Sequence, residues 1–400
     1  MRTKPSINRT LTTLLFLLAT LPAKKIHAQF DLEESHTTAS LRGIHNVGNG
    51  VAWASGTNGT VLRTEDAGYL WQPCTIPPGA EKLDFRGIQA FDANTAIVMS
   101  SGPGDQSRLY KTTDGCQTWH LLFTNPDKEG FWDAIQFADK LHGFLLGDPV
   151  PVADSTKKRV VFKQTIDGGK TWVSWERKVS YFAIGEDTAA FAASNSSMIA
   201  QDRFHAVVAT GGKGGSALGF PGNDEFPIKD INKEFCSSAP CVCPPVTDRK
   251  ATRQLSVWWK LENPFPHTET GGIFSIANHE EWIVAVGGDY KLPDSPVQTA
   301  AYGNDWPDGG FKAAQTPPHG YRSSVAYDPT QKLWITVGPN GTDISRDDGR
   351  NWTPIKPSGY DPPDADKNWN ALSLPFVVGP HGRIGRLRTI TQTENQPAKT

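Results

Sequence analysis

Thr165-Ile-Asp167-Gly-Gly169-Lys-Thr171-Trp172 is the stretch on which the reading of this chain turns. The pattern Ser/Thr-x-Asp-x-Gly-x-Thr-Trp predicts a tight turn between two strands. The Asp carboxylate can accept N–H bonds from the turn, and Gly supplies a positive φ. The Trp then buries a large ring where the next strand begins. The pattern returns at Thr64-Glu-Asp66-Ala-Gly68-Tyr-Leu-Trp71, Thr112-Thr-Asp114-Gly-Cys116-Gln-Thr118-Trp119 and Ser345-Arg-Asp347-Asp-Gly349-Arg-Asn-Trp352. Leu70 and Asn351 depart from it at the Thr position, and Cys116 at the Gly position.

Working outward, a Gly-x-x-Gly turn between strands precedes two of these turns, at Gly56-Thr-Asn-Gly59 and Gly338-Pro-Asn-Gly341, and recurs at Gly379-Pro-His-Gly382. Earlier still come first-strand segments: Leu41-Arg-Gly-Ile44, Phe85-Arg-Gly-Ile88, Trp132-Asp-Ala-Ile135, Thr188-Ala-Ala-Phe191, Gly271-Gly-Ile273, Arg322-Ser-Ser-Val325 and Trp369-Asn-Ala-Leu372. Units of about 50 residues with four short strands each are the sequence signature of propeller blades. The expected fold is therefore all-β: a seven-bladed β-propeller over residues 29–390, with four antiparallel strands per blade. The last unit lacks a fourth strand. Phe30-Asp-Leu-Glu-Glu-Ser-His36 supplies it, so an N-terminal strand closes the ring. An insertion is expected at about 211–252 in blade four, and a polar tail at 391–400.

The four turns resemble Asp-box (bacterial neuraminidase) repeats. Together with the Gly-x-x-Gly pairs and the Arg-Gly-Ile starts, residues 30–388 look like the photosystem II stability/assembly factor family and its exported bacterial relatives, within a sialidase-like superfamily. That resemblance implies the propeller and a non-catalytic role in the assembly or stability of an envelope complex. It says little about chemistry, because the same repeats occur in glycoside hydrolases. The alternative is a sialidase-like or other glycoside hydrolase.

Asp66, Gly68, Trp71, Asp114, Trp119, Asp167, Gly169, Trp172, Asp347, Gly349 and Trp352 are read as structural turn residues. No reaction needs the same carboxylate repeated around a ring. Candidate ligand contacts at the channel mouth are Arg42, Arg86, Asp133, Asn195, Arg322 and Asn370. Most of them lie at the starts of first strands, where side chains alternate between channel and blade interior. A sialidase would add an Arg cluster with a Tyr–Glu nucleophile pair, and no such pair is assignable. No catalytic residue is assigned. The Gly-rich run Gly211-Gly-Lys-Gly-Gly215 meets Phe220-Pro-Gly, which opposes the helix a nucleotide site needs. No cofactor or metal is expected. In an exported chain, Cys236, Cys241 and Cys243 suggest a disulfide within the insertion. Cys74 and Cys116 lie in different units, and their pairing is open.

Export is read from residues 1–28: Arg2, Lys4 and Arg9, an apolar run from Leu11 to Leu21, then small residues before Gln29. This is the order of a cleaved signal peptide. The apolar run is too short to span a bilayer. These residues hold five of the 40 Lys and Arg and none of the 42 Asp and Glu, so the remainder carries a net −7. The chain is expected in the periplasm or outside the cell, as a monomer that does not span a membrane. Its expected partner is a protein or a glycan rather than a nucleic acid.

Overall fold

The computed structural model describes residues 30–151, 158–174, 188–219, 264–304, 311–359, 361–388 and 390. Among them the chain is an all-β propeller of antiparallel sheets, with one 3-10 turn at Gly104–Gln106 and no α-helix. Five sheets have the expected four strands. Sheet one is Leu41–Gly48, Val51–Gly56, Val61–Thr64 and Gln72–Pro73. Sheet two runs from Phe85–Ala90 out to His120–Thr124, and sheet three from Trp132–Phe137 out to Val173–Ser174. Sheet six runs from Ser324–Asp328 out to Thr353–Pro354.

Sheet seven holds Ala371–Ser373, Phe376–Val378 and Ile384–Leu387, and Phe30–Glu33 pairs antiparallel with the last of these, Phe30 opposite Leu387. The closing strand is fixed by burial and charge together. Phe30 is buried and stacks on Trp369, while Asp31 takes Arg386 and Arg388.

The remaining two sheets depart from four strands per blade. Sheet four has three: Met198–Ala200, Ala206–Ala209 and Leu218–Gly219. Sheet five has six, because Thr188–Ala189 and Gly211–Gly212 join Gly271–His279, Trp282–Asp289, Ala300–Gly303 and Lys312–Ala313. Thr188-Ala-Ala-Phe191 is thus not the first strand of blade four. Phe191 stacks on Phe274 at 3.9 Å, which draws the segment to sheet five. Asn195 then takes a left-handed φ of 63°, which no ladder strand tolerates. The innermost place in sheet four passes to Met198–Ala200. Within 211–219, the part of the expected insertion that is described, Gly211–Gly212 and Leu218–Gly219 pair as short strands on either side of a turn. The signal segment 1–28, residues 220–252 of the insertion, Cys236, Cys241, Cys243 and the tail 391–400 lie outside the described residues.

The four Asp turns share one hydrogen-bond pattern. In the third, Thr165 Oγ1 donates to Asp167 Oδ1 and accepts the Gly169 N–H, while Asp167 Oδ1 accepts the Thr171 N–H at 2.9 Å. The turns at Asp66, Asp114 and Asp347 repeat it. Each turn docks on the sheet before it. A Cβ on Gly68 would stand 2.6 Å from Phe376 of sheet seven, and Trp71 packs edge-on against that ring. Position 68 also has a φ of 94°, so glycine is required there twice over. Cys116 occupies the equivalent position at φ 65° and uses its side chain differently: it forms a disulfide with Cys74 of sheet one. The departure from glycine is a covalent stitch between sheets.

Candidate functional site

Antiparallel pairing puts the starts of the first strands and the ends of the second strands at one end of the ring. The Asp turns, which follow third strands, lie at the other. Arg42 and Arg86 occupy equivalent places in sheets one and two, and they meet on Asp84. Arg86 Nε donates to Asp84 Oδ2 at 2.8 Å, and Arg42 Nε lies 3.9 Å from Asp84 Oδ1. Both guanidinium side chains stay about a third exposed, at 32% and 27%. Arg42 Nε and Asp84 Oδ1 are themselves buried without a hydrogen bond among the described residues.

Asp133 follows in sheet three, at the place equivalent to Arg42, but it is 1% exposed. Burial, reinforced by Asp148, raises its carboxyl well above the usual range, against the pull of Arg86. Burial also lifts Asp148 to about 6, although its Oδ1 accepts the Ala190 N–H at 2.9 Å. Of these two carboxyls, Asp133 feels the charge of Arg86 and is sealed from solvent.

An aromatic wall flanks the charges. Phe131 lies under Arg86. Phe274 stacks on Phe191 and meets Tyr290 and Tyr321 edge-on. Tyr321 is buried near Arg42, and Tyr290 is 47% exposed. Leu292 and Val297, on the loop that follows, are exposed apolar side chains. The mouth thus combines partly exposed cations with an apolar rim.

The other three candidates do different work. Arg322 is not at the channel surface: it is fully buried, with Nε and Nη2 on Asp343, Nη1 on the Tyr321 carbonyl and Nη2 beside His319. Burial would push the Asp343 carboxyl up, but the His319 bond and the Arg322 charge outweigh it and hold it below its ordinary value. Asn370 donates to the Leu41 carbonyl at 2.8 Å and so ties sheet seven to sheet one.

Asn195 lies in a plug. Its Oδ1 accepts the Ile135 N–H at 2.8 Å and its Nδ2 donates to the Ile135 carbonyl at 3.0 Å, as a neighbouring strand would. Ser194 donates to Ser323 of sheet six, Ser196 meets Ser275 of sheet five, and Arg86 reaches the Ala192 carbonyl. Residues 192–196 therefore touch sheets two, three, five and six, and fill the axis behind the arginine mouth.

Sequence reasoning missed Asp84, the plug and a second repeated turn. Asp92, Asp139, Asp202 and Asp328 each cap the turn between first and second strands of sheets two, three, four and six. In two of them a His three places on also meets the carboxylate, His142 on Asp139 and His205 on Asp202. The signal was there: Asp139-Lys-Leu-His142 aligns with Asp202-Arg-Phe-His205. Among the described residues, no three His, Cys, Asp or Glu side chains converge as a metal ion would need.

No protein-family model and no curated protein sequence matches the chain. Solved structures do. "YCF48 bound to D1 peptide" aligns at a TM-score of 0.55 with 15% identity, covering 91% of this chain and 98% of that one. YCF48 from Cyanidioschyzon merolae aligns at 0.55 with 15% identity, covering 90% and 99%. A GH74 enzyme of Niastella koreensis aligns at 0.54 with 11% identity, covering 89% of this chain and 53% of the enzyme. At such identities the likeness is one of fold, and the chain is similar to these proteins as a β-propeller.

Proposed function

We propose that this chain is an exported, seven-bladed, non-catalytic propeller that binds a segment of a partner protein at the arginine mouth. The observation that carries the reading is the shared Asp84. One carboxylate bonds Arg86 and draws Arg42 to within 3.9 Å, both guanidinium side chains stay about a third exposed, and an apolar wall stands beside them. Such a mouth offers two positioned guanidinium charges with donors to spare to an acidic or carbonyl-rich segment, with an aromatic surface for its side chains. Three further observations support parts of it. Seven sheets agree with seven blades. The Cys74–Cys116 disulfide suits an oxidising compartment. A protein of the same fold is known bound to a peptide. The four Asp turns are the features that an Asp-box reading accounts for.

The second reading is a glycoside hydrolase, favoured by the raised Asp133 and Asp148 carboxyls and by the GH74 likeness. It is the weaker one, because a buried Asp133 cannot touch a substrate and a hydrolase needs two carboxyls flanking the scissile bond. A photo-crosslinking residue placed at Tyr290, with a matching one at Leu141 on the far face as control, separates the two. A protein adduct formed at 290 and absent at 141, with no turnover of a glycoside panel, is the expected result. Glycoside turnover abolished by Asp133→Asn would overturn it.

A further inference from the structure

The far end of the channel holds a second site, independent of the arginine mouth. Sheets three to six leave there a shallow depression of about 440 Å³, broadly open to solvent. Its size lies within the ~300–1,000 Å³ of small-molecule sites. None of its twelve lining residues is Asp, Glu, Lys or Arg. Met198, Ile276 and Ala326 supply an apolar floor.

Three polar groups on the wall keep hydrogen-bonding capacity unused among the described residues. Gln136 gives its Nε2 to the Asn195 carbonyl, which fixes the side chain and leaves Oε1 open. Asn278 is exposed, and the Tyr327 ring is held by His279 stacked on it at 3.6 Å. Each has a role that suits a hydroxyl: an acceptor at Gln136, a donor and acceptor at Asn278, and a phenol that does both at Tyr327.

We infer that this depression binds a neutral saccharide, a hexose unit set with its C–H face on the apolar floor and its hydroxyls on Gln136, Asn278 and Tyr327. With no Asp, Glu, Lys or Arg in the lining, and its one imidazole, His279, turned to Glu280 at 3.8 Å, an ionised ligand gains no dedicated counter-charge there. Amide and phenol groups that donate and accept match vicinal hydroxyls, which also do both. The plug at Ser196 closes the inner side, so the ligand enters from the far face only.

The test is titration of the purified full chain with glucose, galactose, N-acetylglucosamine, maltose and cellobiose, read by calorimetry and ligand-observed NMR, with adenine as a flat neutral competitor. At least one sugar is expected to bind in the millimolar range or tighter, and Asn278→Ala and Tyr327→Phe should each weaken it about 10-fold, the scale of one lost hydrogen bond. Tyr327→Phe keeps the ring that stacks on His279, so a folding failure does not confuse the result. Leu141→Ser, at an exposed side chain outside the lining, should leave sugar affinity unchanged. The inference is overturned if none of the five sugars binds at ~50 mM, if adenine binds in their place, or if both Asn278→Ala and Tyr327→Phe leave the affinity intact.

Discussion

At the scale of the residue, two side chains show how local chemistry sets global stability. Cys116 stands where the turn pattern asks for glycine, and its bond to Cys74 closes a loop with a sequence separation of 42. Loop-closure entropy puts the contribution at about 3–4 kcal/mol. Cys116→Gly restores the turn residue and loses the bond, so its melting temperature should fall to that of the reduced wild type. A melt with and without reductant measures this. Asp148 acts in the opposite sense. Burial lifts its folded pKa to about 6, so between its ordinary value and 6 the folded chain keeps a proton that the unfolded chain has released. Stability from this group is therefore greatest below about pH 4 and falls as pH rises through 6. Asp148→Asn retains an Oδ1 for the Ala190 N–H. It should raise stability at pH 7 by roughly 2–3 kcal/mol and leave it nearly unchanged below pH 4, as denaturant melts across that range will read.

At the scale of the element, the plug and the closing strand hold the ring from inside and outside. Asn195→Ala removes the amide that pairs the Ile135 backbone, leaving a buried N–H and C=O without partners. The expected loss is about 2–4 kcal/mol in denaturant unfolding. Phe30→Ala empties a buried place against Trp369 in the closing strand. It should cost about 3–5 kcal/mol and expose the N-terminus to limited proteolysis. These two elements were not equally legible in the sequence. The closing strand could be read because a period that lacks its fourth strand must borrow one, and Phe30-Asp-Leu-Glu33 was the free segment. The plug could not, because Thr188-Ala-Ala-Phe191 has the apolar character of a first strand. What removes it is a long-range stack, Phe191 on Phe274, that no local pattern encodes. Turn chemistry repeats locally and is visible, as Asp167 and its three counterparts show. Ion pairs such as Arg322–Asp343 depend on which strands become neighbours. Hence Arg322 read as a channel residue and proves to be sealed inside sheet six.

At the scale of the whole molecule, the ring presents two unlike ends separated by a plug. One has arginines and aromatics, the other an open depression lined by no Asp, Glu, Lys or Arg. The Asp turns, all on the end away from the arginines, act as seams between blades. Their carboxylates are tied up by backbone N–H groups, as in the turn at Asp114, where bonds from Thr118 pull the carboxyl down to about 2. Binding at the arginine end is the central claim. It is tested most directly by quantitative capture from envelope extract on immobilised wild type and on the Arg42→Ala/Arg86→Ala double variant, with circular dichroism melts confirming that both are folded. The expected result is a protein retained in stoichiometric amount by wild type and lost from the double variant. A partner held equally by both would contradict it.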